Sequence, residues 1–469
     1  MAHNRLVKSK TFDWITLSIY FSLVVIGWFM VFSTLYDPKN PYAFIDVSTP
    51  IGAQSLWLVI SVITFLVALT LDWKFWNTMA FPTYGVTVFF LILVLVIGNE
   101  INGAKSWIKF GFFGFQPSEW AKFGTALAMA SYLSFFKSSM DNLNVIAVSL
   151  ALFLVPALLI LMQPDFGSAL VFFSFLILLY RRGMTPWVIL SGLIISATFI
   201  FSLLYSPFLA AVFLLFLAGV IMTFDFEKIQ RALWISGGTL AIIILLLFQQ
   251  ESDAVILPAI GIFVVFSFFQ IRKKNFQLVG LLWSILLFLI SFSFGSSYVF
   301  ENFLKPHQQE RINVWLRPEK CDPQGSLYNI IQSKMAIASG GFEGKGFLQG
   351  EMTKLDYVPE QSTDFIFTSI GEEQGFIGSL GVIFLFTILL IRCIIIAERA
   401  NLEFIRNYGY AVAGIFFFHF VFNIGMTMGL LPVIGIPLPF LSKGGSSLIA
   451  FSLMLAVLIK MDMARFRSN

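Results

Sequence analysis

Long apolar runs separated by short polar breaks fill most of the chain. At about 20 residues per membrane crossing, they predict fourteen helical spans, near 13–35, 55–71, 79–98, 118–136, 144–162, 167–180, 187–205, 208–224, 232–249, 254–270, 276–299, 378–397, 409–428 and 445–460. The pattern lapses at length from His307 to Phe365, where charge, glutamine, glycine and three prolines replace the apolar text. An irregular stretch of that length is functional or disordered. Ile312, Trp315, Leu327, Tyr328, Ile330, Ile331 and Phe347 give this one apolar surface to pack. Within it, Leu327, Ile330, Ile331 and Lys334 recur at helical spacing, and Gly340-Gly341 supply a stop. That predicts an amphipathic helix over 327–339 lying on the membrane surface.

Composition agrees with the pattern. Of 469 residues, 58% are hydrophobic and 12% charged, against about 25% charged in a soluble domain. Mean hydropathy is +0.85. The expected fold class is an all-α polytopic membrane protein with a large extracytoplasmic loop. Basic residues are scattered among short loops, which excludes a nucleic-acid surface. Cys321 and Cys393 are too few for a disulfide framework, and no metal-binding spacing such as HExxH occurs. His419, inside an apolar span, reads as a buried, hydrogen-bonded histidine before it reads as a proton relay. Arg5, Lys8 and Lys10 precede an apolar run of more than 20 residues without a small-residue cleavage site, so the first span is expected to be retained.

Charge orients the spans. With the N-terminus cytoplasmic, inner loops receive Lys74, Lys137, Arg181, Arg182, Lys228, Arg231, Arg272, Lys273, Lys274, Arg399 and Arg406, and the tail adds Lys460, Arg465 and Arg467. Short outer loops receive only Lys39, Lys105, Lys109 and Lys443. This is the positive-inside bias, with both termini cytoplasmic. The unusual segments 102–119, 163–169, 305–363, 362–378 and 429–447 then share the outer face.

Each segment offers chemistry beside a plainer reading. In 102–119, Lys105 and Lys109 interleave with Trp107 and Phe110, which suits lipid phosphate or simple interfacial anchoring. Gln116-Pro117-Ser118-Glu119 starts a helix. Glu119 and Lys122, three apart, share a face and either line an interior cavity or form a helix-start pair. In Gln163-Pro164-Asp165-Phe166-Gly167 an apolar run breaks around an acid. Such breaks line cavities, and a turn with a solvated Asp165 is the alternative. Gly341-Phe342-Glu343-Gly344-Lys345-Gly346 lacks phosphate-loop spacing and a preceding strand. It reads as a glycine-rich turn, although Lys345 and free N–H groups could still hold a phosphate. Asp322-Pro323 alone is a turn start. Glu360, Asp364, Glu372 and Glu373 gather beside a span start, where a pair of acids would bind a divalent cation or hold a loop lysine. Pro432, Pro437 and Pro439 forbid a continuous helix and predict a re-entrant or surface-lying segment, closed by a helix start at Ser446-Ser447.

Six segments in order resemble the SEDS family (shape, elongation, division and sporulation proteins), whose best-known members are RodA and FtsW. They are NGAKSWI, QPSE with Lys122, QPDFGSA, RPEKCDPQGSLYNIIQSKMAIASGGFEGKG, YVPEQSTDFIFTSIGEEQGFIG and GLLPVIGIPLPFLSKGGSS. AIASGGFEGKG looks more like RodA than FtsW. The resemblance implies a peptidoglycan glycosyltransferase that polymerises glycan strands from lipid II outside the cytoplasmic membrane, in cell-wall elongation and cell shape. It implies a class B penicillin-binding protein as partner. The family's essential aspartate falls at Asp322, the implied catalytic residue. Glu119, Lys122 and Asp165 are implied cavity residues. Lys105, Trp107, Gln116, Arg311, Gln332, Lys334, Lys345, Glu360, Asp364, Glu372, Glu373, Ser446 and Ser447 complete the expected substrate-binding set. Two features depart from the family. Lys443 stands where an aromatic residue is usual, and the family usually has ten spans. The excess falls in 187–275, where no motif occurs. This predicts core halves 1–186 and 276–469, the second including loop 305–363, around an insert.

The implied reaction is an inverting glycosyl transfer. A sugar 4-hydroxyl attacks C1 of a second lipid-linked sugar, opposite its polyprenyl pyrophosphate. Asp322 would act as general base. Lys105, Arg311, Lys334 and Lys345, or a divalent cation (magnesium or manganese) held in part by Asp322, would meet the leaving pyrophosphate. Two other functions suit part of the pattern. A flippase for the lipid-linked precursor would use Glu119, Lys122 and Asp165 and dispense with Asp322. A non-enzymatic scaffold for the penicillin-binding protein would need no single acid.

Overall fold

The computed structural model describes residues 12–40, 42–101, 103–110, 113–135, 140, 142–223, 264, 276–304, 306–322 and 325–464. They fall into two compact units, Met1–Thr185 with Asp322–Asn469, and Pro186–Cys321.

The first unit opens with α1 (Trp14–Thr34) and α2 (Pro50–Thr70), then a short α3 (Trp73–Thr78) and α4 (Ala80–Ile97). Asp13 starts α1 by accepting from the Thr16 amide at 3.1 Å, and Thr49 does the same for α2 with Pro50 at its first position. A small antiparallel sheet follows, in the order β1 (Asn99–Ile101), β2 (Ala104–Phe110), β3 (Phe113–Phe115). Next come α5 (Pro117–Phe135), α6 (Leu143–Leu161) and α7 (Phe166–Val171), which runs through a 3-10 turn into α8 (Phe175–Arg181).

The second unit holds α9 (Pro186–Leu204), α10 (Pro207–Thr223), α11 (Phe276–Asn302) and α12 (Pro306–Leu316). Val212, Leu215, Leu286 and Leu289 form its core. The Ser202 hydroxyl donates to the Ser293 carbonyl at 3.0 Å.

The chain re-enters the first unit with α13 (Ser326–Ser339), α14 (Glu351–Lys354), α15 (Ile366–Glu398), α16 (Glu403–Thr427) and α17 (Gly445–Met463). Helices α5, α16 and α17 are buried along most of their length. Helices α1, α2, α4 and α6 keep apolar residues such as Ile63, Leu66, Val86 and Leu158 exposed, as a bilayer-facing ring requires. At the end of the bundle assigned by charge to the cytoplasm, Asp13 takes Arg392 at 2.7 Å and Arg399 at 3.1 Å, and Arg399 takes Asp462 at 2.5 Å. That cluster ties α1, α15 and α17 together.

Nine helices among the described residues are long and apolar enough to cross a membrane, and Phe166–Arg181 and Pro207–Ala218 are shorter apolar helices. The protein is an integral membrane protein of helical class. Twelve of the fourteen expected runs coincide with helices; 232–249 and, apart from Val264, 254–270 lie outside the described residues.

Three expectations are corrected. Asn99–Ile101, Ala104–Phe110 and Phe113–Phe115 form a sheet, and the middle strand alternates: Lys105 is exposed, Ser106 and Ile108 are buried. Helix α15 starts at Ile366, twelve residues before the expected 378, so Glu372 and Glu373 lie inside a helix. The helix over Ser326–Ser339 does form, but it packs into the protein: Ile330, Ser333 and Ala336 are buried, and the Ser333 hydroxyl lies 2.6 Å from that of Thr368 and donates to the Thr427 carbonyl at 2.8 Å.

Candidate active site

A buried charge chain runs through the middle of the first unit. Glu119 and Lys122, on one face of α5, pair at 2.7 Å and are essentially inaccessible. The Lys122 ammonium also lies 2.8 Å from His419 Nε2, and His419 Nδ1 lies 2.9 Å from the Pro437 carbonyl. A neutral imidazole with its proton on Nδ1 satisfies both bonds, donating to the carbonyl and accepting from the ammonium. One helical turn on, Asn423 Nδ2 donates to the Ile436 and Asp364 carbonyls, each at 2.8 Å. One face of α16 thus grips two consecutive carbonyls of the proline-rich segment. That segment has no helix between Met428 and Gly444, as three prolines require. Asp165, half-buried, caps α7 by accepting from the Ser168 amide at 3.0 Å and lies within electrostatic reach of Lys122.

The glycine-rich turn has a different task from the phosphate cradle considered above. Helix α15 is broken at Gly375 (φ 63, ψ −158), which frees its backbone groups. The turn takes them up. Lys345 and Gly346 amides donate to the Glu372 and Glu373 carbonyls at 3.0 and 2.9 Å, and Phe376 and Ile377 amides donate to the Gly341 and Phe342 carbonyls at 3.0 and 3.2 Å. The Gly341, Gly344, Lys345 and Gly346 N–H groups of the turn are therefore occupied. So is Lys345, 3.0 Å from Glu372 and 3.7 Å from Glu351. Of the two readings of the acid cluster, Glu372 fits the one that holds a loop lysine. It also accepts from the Met352 amide, the Thr353 amide and the Thr353 hydroxyl at 2.9, 2.9 and 2.7 Å. Glu373, also buried, accepts from the Ser33 hydroxyl of α1.

A third cluster forms where α5 and α17 begin. The Ser446 hydroxyl accepts from the Trp120 indole at 3.1 Å and the Gln116 amide at 3.3 Å. Ser447 donates to the Gly444 carbonyl at 3.2 Å. Beside them opens a groove of about 420 Å³, walled almost wholly by apolar atoms of Trp57, Phe90, Gly114, Phe115, Trp120, Ser446 and Ile449.

Asp322 is exposed, its carbonyl accepting from the Gly325 amide at 3.0 Å just ahead of α13. Gln332 is half-buried and Lys334 exposed on that helix. The Lys334 ammonium lies over Gly429, at the entry to the proline-rich segment. Lys105 is exposed and Trp107 half-buried on β2. Asp364 approaches Gly435. Exposed Glu360 accepts from the Thr363 hydroxyl at 2.9 Å. Arg311 lies on α12 in the second unit. Among the described residues no three His, Cys, Asp or Glu side chains converge as metal ligands, so a cation here would need ligands from the substrate. The sequence reading left out Asn423. Its signal was an amide four residues after His419 in an apolar span, on the same helix face.

A model of the FtsW/RodA/SpoVE family, described as cell cycle protein, matches residues 13–215 and 198–467. The peptidoglycan glycosyltransferase RodA of Treponema pallidum is 31% identical over 93% of this chain and 94% of its own. The peptidoglycan glycosyltransferase MrdB of Escherichia coli K12 is 30% identical over 78% of this chain and 73% of its own. A solved structure described as the structural coordination of polymerization and crosslinking by a peptidoglycan synthase complex superposes with a TM-score of 0.63, at 26% identity, over 98% of this chain and 99% of that one.

Proposed function

We propose that this chain, which belongs to the FtsW/RodA/SpoVE family of cell cycle proteins, is a peptidoglycan glycosyltransferase that polymerises glycan strands from lipid II in cell-wall elongation. The observation that carries this reading is the pairing of an exposed carboxylate, Asp322, with an apolar groove in one unit. The groove offers apolar surface to an isoprenoid chain, and the sugars would react in water at exposed Asp322. The sugar 4-hydroxyl oxygen forms a bond to C1 of the other sugar, the bond from C1 to the pyrophosphate oxygen breaks, and Asp322 takes the hydroxyl proton. Such base catalysis contributes typically about 10²–10⁴-fold. The lipid pyrophosphate leaves with its electron pair and needs only positive charge nearby. Lys334, exposed beside the proline-rich segment, supports that role. A divalent cation, magnesium or manganese, fits Asp322 when substrate phosphates supply its other ligands, and when bound it would supply further charge for the leaving group.

The charge bias of the loops supports cytoplasmic termini and an outer-face site. A class B penicillin-binding protein is the proposed partner; the synthase complex named for the structural neighbour supports it. Segment 187–275 remains proposed as an insert between the core halves. The test is glycan polymerisation from purified lipid II, with and without the partner. Wild type makes polymer and Asp322→Asn, folded to the same melting temperature, makes none. Polymer from Asp322→Asn at the wild-type rate would remove Asp322 as base, and no polymer from wild type in either combination would return the flippase and scaffold readings.

A further inference from the structure

Ser333 closes the end of a helix that is not its own. Helix α16 stops at Thr427, and the last four carbonyls of a helix have no partner within it. Three of the four are met by the chain that follows. The Met428 amide donates to the Ile424 carbonyl at 3.1 Å, the Gly429 amide to Met426 at 3.0 Å and the Leu430 amide to Gly425 at 2.8 Å. Gly429, with φ 70°, makes the left-handed exit this pattern needs. The fourth carbonyl, that of Thr427, is met from α13, where the Ser333 hydroxyl donates to it at 2.8 Å. Ser333 has one hydroxyl proton, so in its 2.6 Å contact with Thr368 the Thr368 hydroxyl is the donor. One fully buried hydroxyl therefore joins α13, α15 and α16.

Close backbone packing holds α13 at both sides of this bond. A Cβ on Gly429 would fall 2.6 Å from the Lys334 ammonium, and one on Gly340 would fall 2.0 Å from the Gly371 carbonyl oxygen of α15. Asp322 is tied to the other end of the helix. Its carbonyl accepts from the Gly325 amide, and the Gly325 carbonyl accepts from the Tyr328 amide in the first turn of α13, both at 3.0 Å. A shift of α13 on α16 therefore carries Asp322 with it. The apolar groove is built from other elements, since its walls belong to α2, α4, β3, α5 and α17. Lipid binding and the placement of Asp322 are thus separable.

We propose that Ser333 is a positioning residue for glycosyl transfer: its hydroxyl locks α13 onto the C-terminal end of α16 and so sets where the Asp322 carboxylate meets the attacking sugar hydroxyl. The proposal rests on the polymerase reading for the reaction it serves. Ser333 itself touches no substrate.

Full-length protein is assayed for polymerisation of purified lipid II with the penicillin-binding partner present, below the melting temperature of every variant. Ser333→Ala lowers kcat about a hundredfold, the scale of a 1 Å misplacement, and leaves KM for lipid II unchanged. Ser333→Cys, which nearly keeps the shape and retains a weak donor, falls between Ser333→Ala and wild type. Thr368→Val keeps the Ser333 bond to Thr427 and stays near the wild-type rate. A second measurement needs no polymerisation. Nitroxides on Met335→Cys of α13 and Phe417→Cys of α16, both exposed positions, report the distance between the two helices in a Cys321→Ser background. Ser333→Ala shifts or broadens that distance. Wild-type kcat in Ser333→Ala, or in Ser333→Cys should the alanine variant not fold, overturns the proposal. So does an unchanged distance in Ser333→Ala, or a loss of activity that lies wholly in KM. Wild type that makes no polymer, while Ser333→Ala still moves α13, defeats the polymerase reading alone.

Discussion

Lys122 and His419, 297 positions apart in sequence, meet at 2.8 Å in the centre of the bundle. The contact joins the Glu119–Lys122 pair of α5 to the proline-rich segment, because the same imidazole bonds the Pro437 carbonyl on its other side. The charge pair is therefore linked through one side chain to the proline-rich segment.

Removing one partner of this chain is expected to cost more than removing the pair. Lys122→Met leaves Glu119 buried and unpaired, a loss of about 3–5 kcal/mol. The double variant Glu119→Gln with Lys122→Met recovers part of it. His419→Ala strips an acceptor from Lys122 and a donor from Pro437, about 1–3 kcal/mol, while His419→Gln, with one acceptor and one donor, retains most of the stability. Thermal unfolding in detergent orders the four. Equal melting temperatures for Lys122→Met and the double variant would contradict this account.

Backbone conformation and space can be separated in the glycine-rich turn. Gly341 and Gly344 both have positive φ, 58° and 84°. A Cβ on Gly341 meets no atom within 4 Å, but on Gly344 it falls 2.2 Å from the Glu373 carbonyl oxygen. Gly341→Ala is expected to cost only the left-handed penalty, roughly 1–2 kcal/mol. Gly344→Ala must also push apart the turn and α15, breaking the Gly346 bond to that carbonyl. Melting temperatures that fall equally in both variants would rule out the close approach as the reason for glycine.

The sequence displayed the membrane helices and the outer motifs because both are written locally, as apolar runs and as clusters of Pro, Gly and charge. Helix Ser326–Ser339 was legible to within a residue from its apolar spacing. What it packs against was not, since Thr368 and Thr427 lie far along the chain. The early start of α15 was hidden because Glu372 and Glu373 look like loop residues until their partners, Thr353, Lys345 and Ser33, are known. The β2 strand was written in its alternation, Lys105-Ser106-Trp107-Ile108, but aromatic and basic residues at that spacing also suit an interfacial loop. Asn423 was passed over because a lone amide in an apolar span has no local signature of its two carbonyl partners.

Glu372 is expected to hold the 345–354 segment more firmly than Lys345 does. Glu372→Ala leaves the Met352 and Thr353 amides without their acceptor, on the order of 3 kcal/mol for bonds to a carboxylate. Lys345→Met removes one of the four bonds to Glu372 and leaves three, so it is expected to cost less. Hydrogen exchange at Met352 and Thr353 separates them: both amides lose protection in Glu372→Ala and keep it in Lys345→Met. Protection lost equally in the two variants would make the salt bridge, and not the amide bonds, the anchor.

Asn423 offers the sharpest test of how the segments around Asp364 and Ile436 are positioned. Its Nδ2 donates to two carbonyls, Asp364 from the segment before α15 and Ile436 from the proline-rich segment. Only a side chain with two hydrogens on one atom can hold both. Asn423→Asp has nearly the same shape but no donor when ionised, so it places negative charge against two carbonyl oxygens in a buried site. It is expected to be less stable than Asn423→Ala, which leaves the carbonyls unpaired without repelling them. Both variants should lower polymer yield from lipid II with Asp322 intact, Asn423→Asp the more, and the loss in Asn423→Asp should ease at low pH, where a protonated carboxyl regains one donor. If Asn423→Asp melts and polymerises like wild type at neutral pH, the two carbonyls are held by other means and α16 does not set the position of the proline-rich segment.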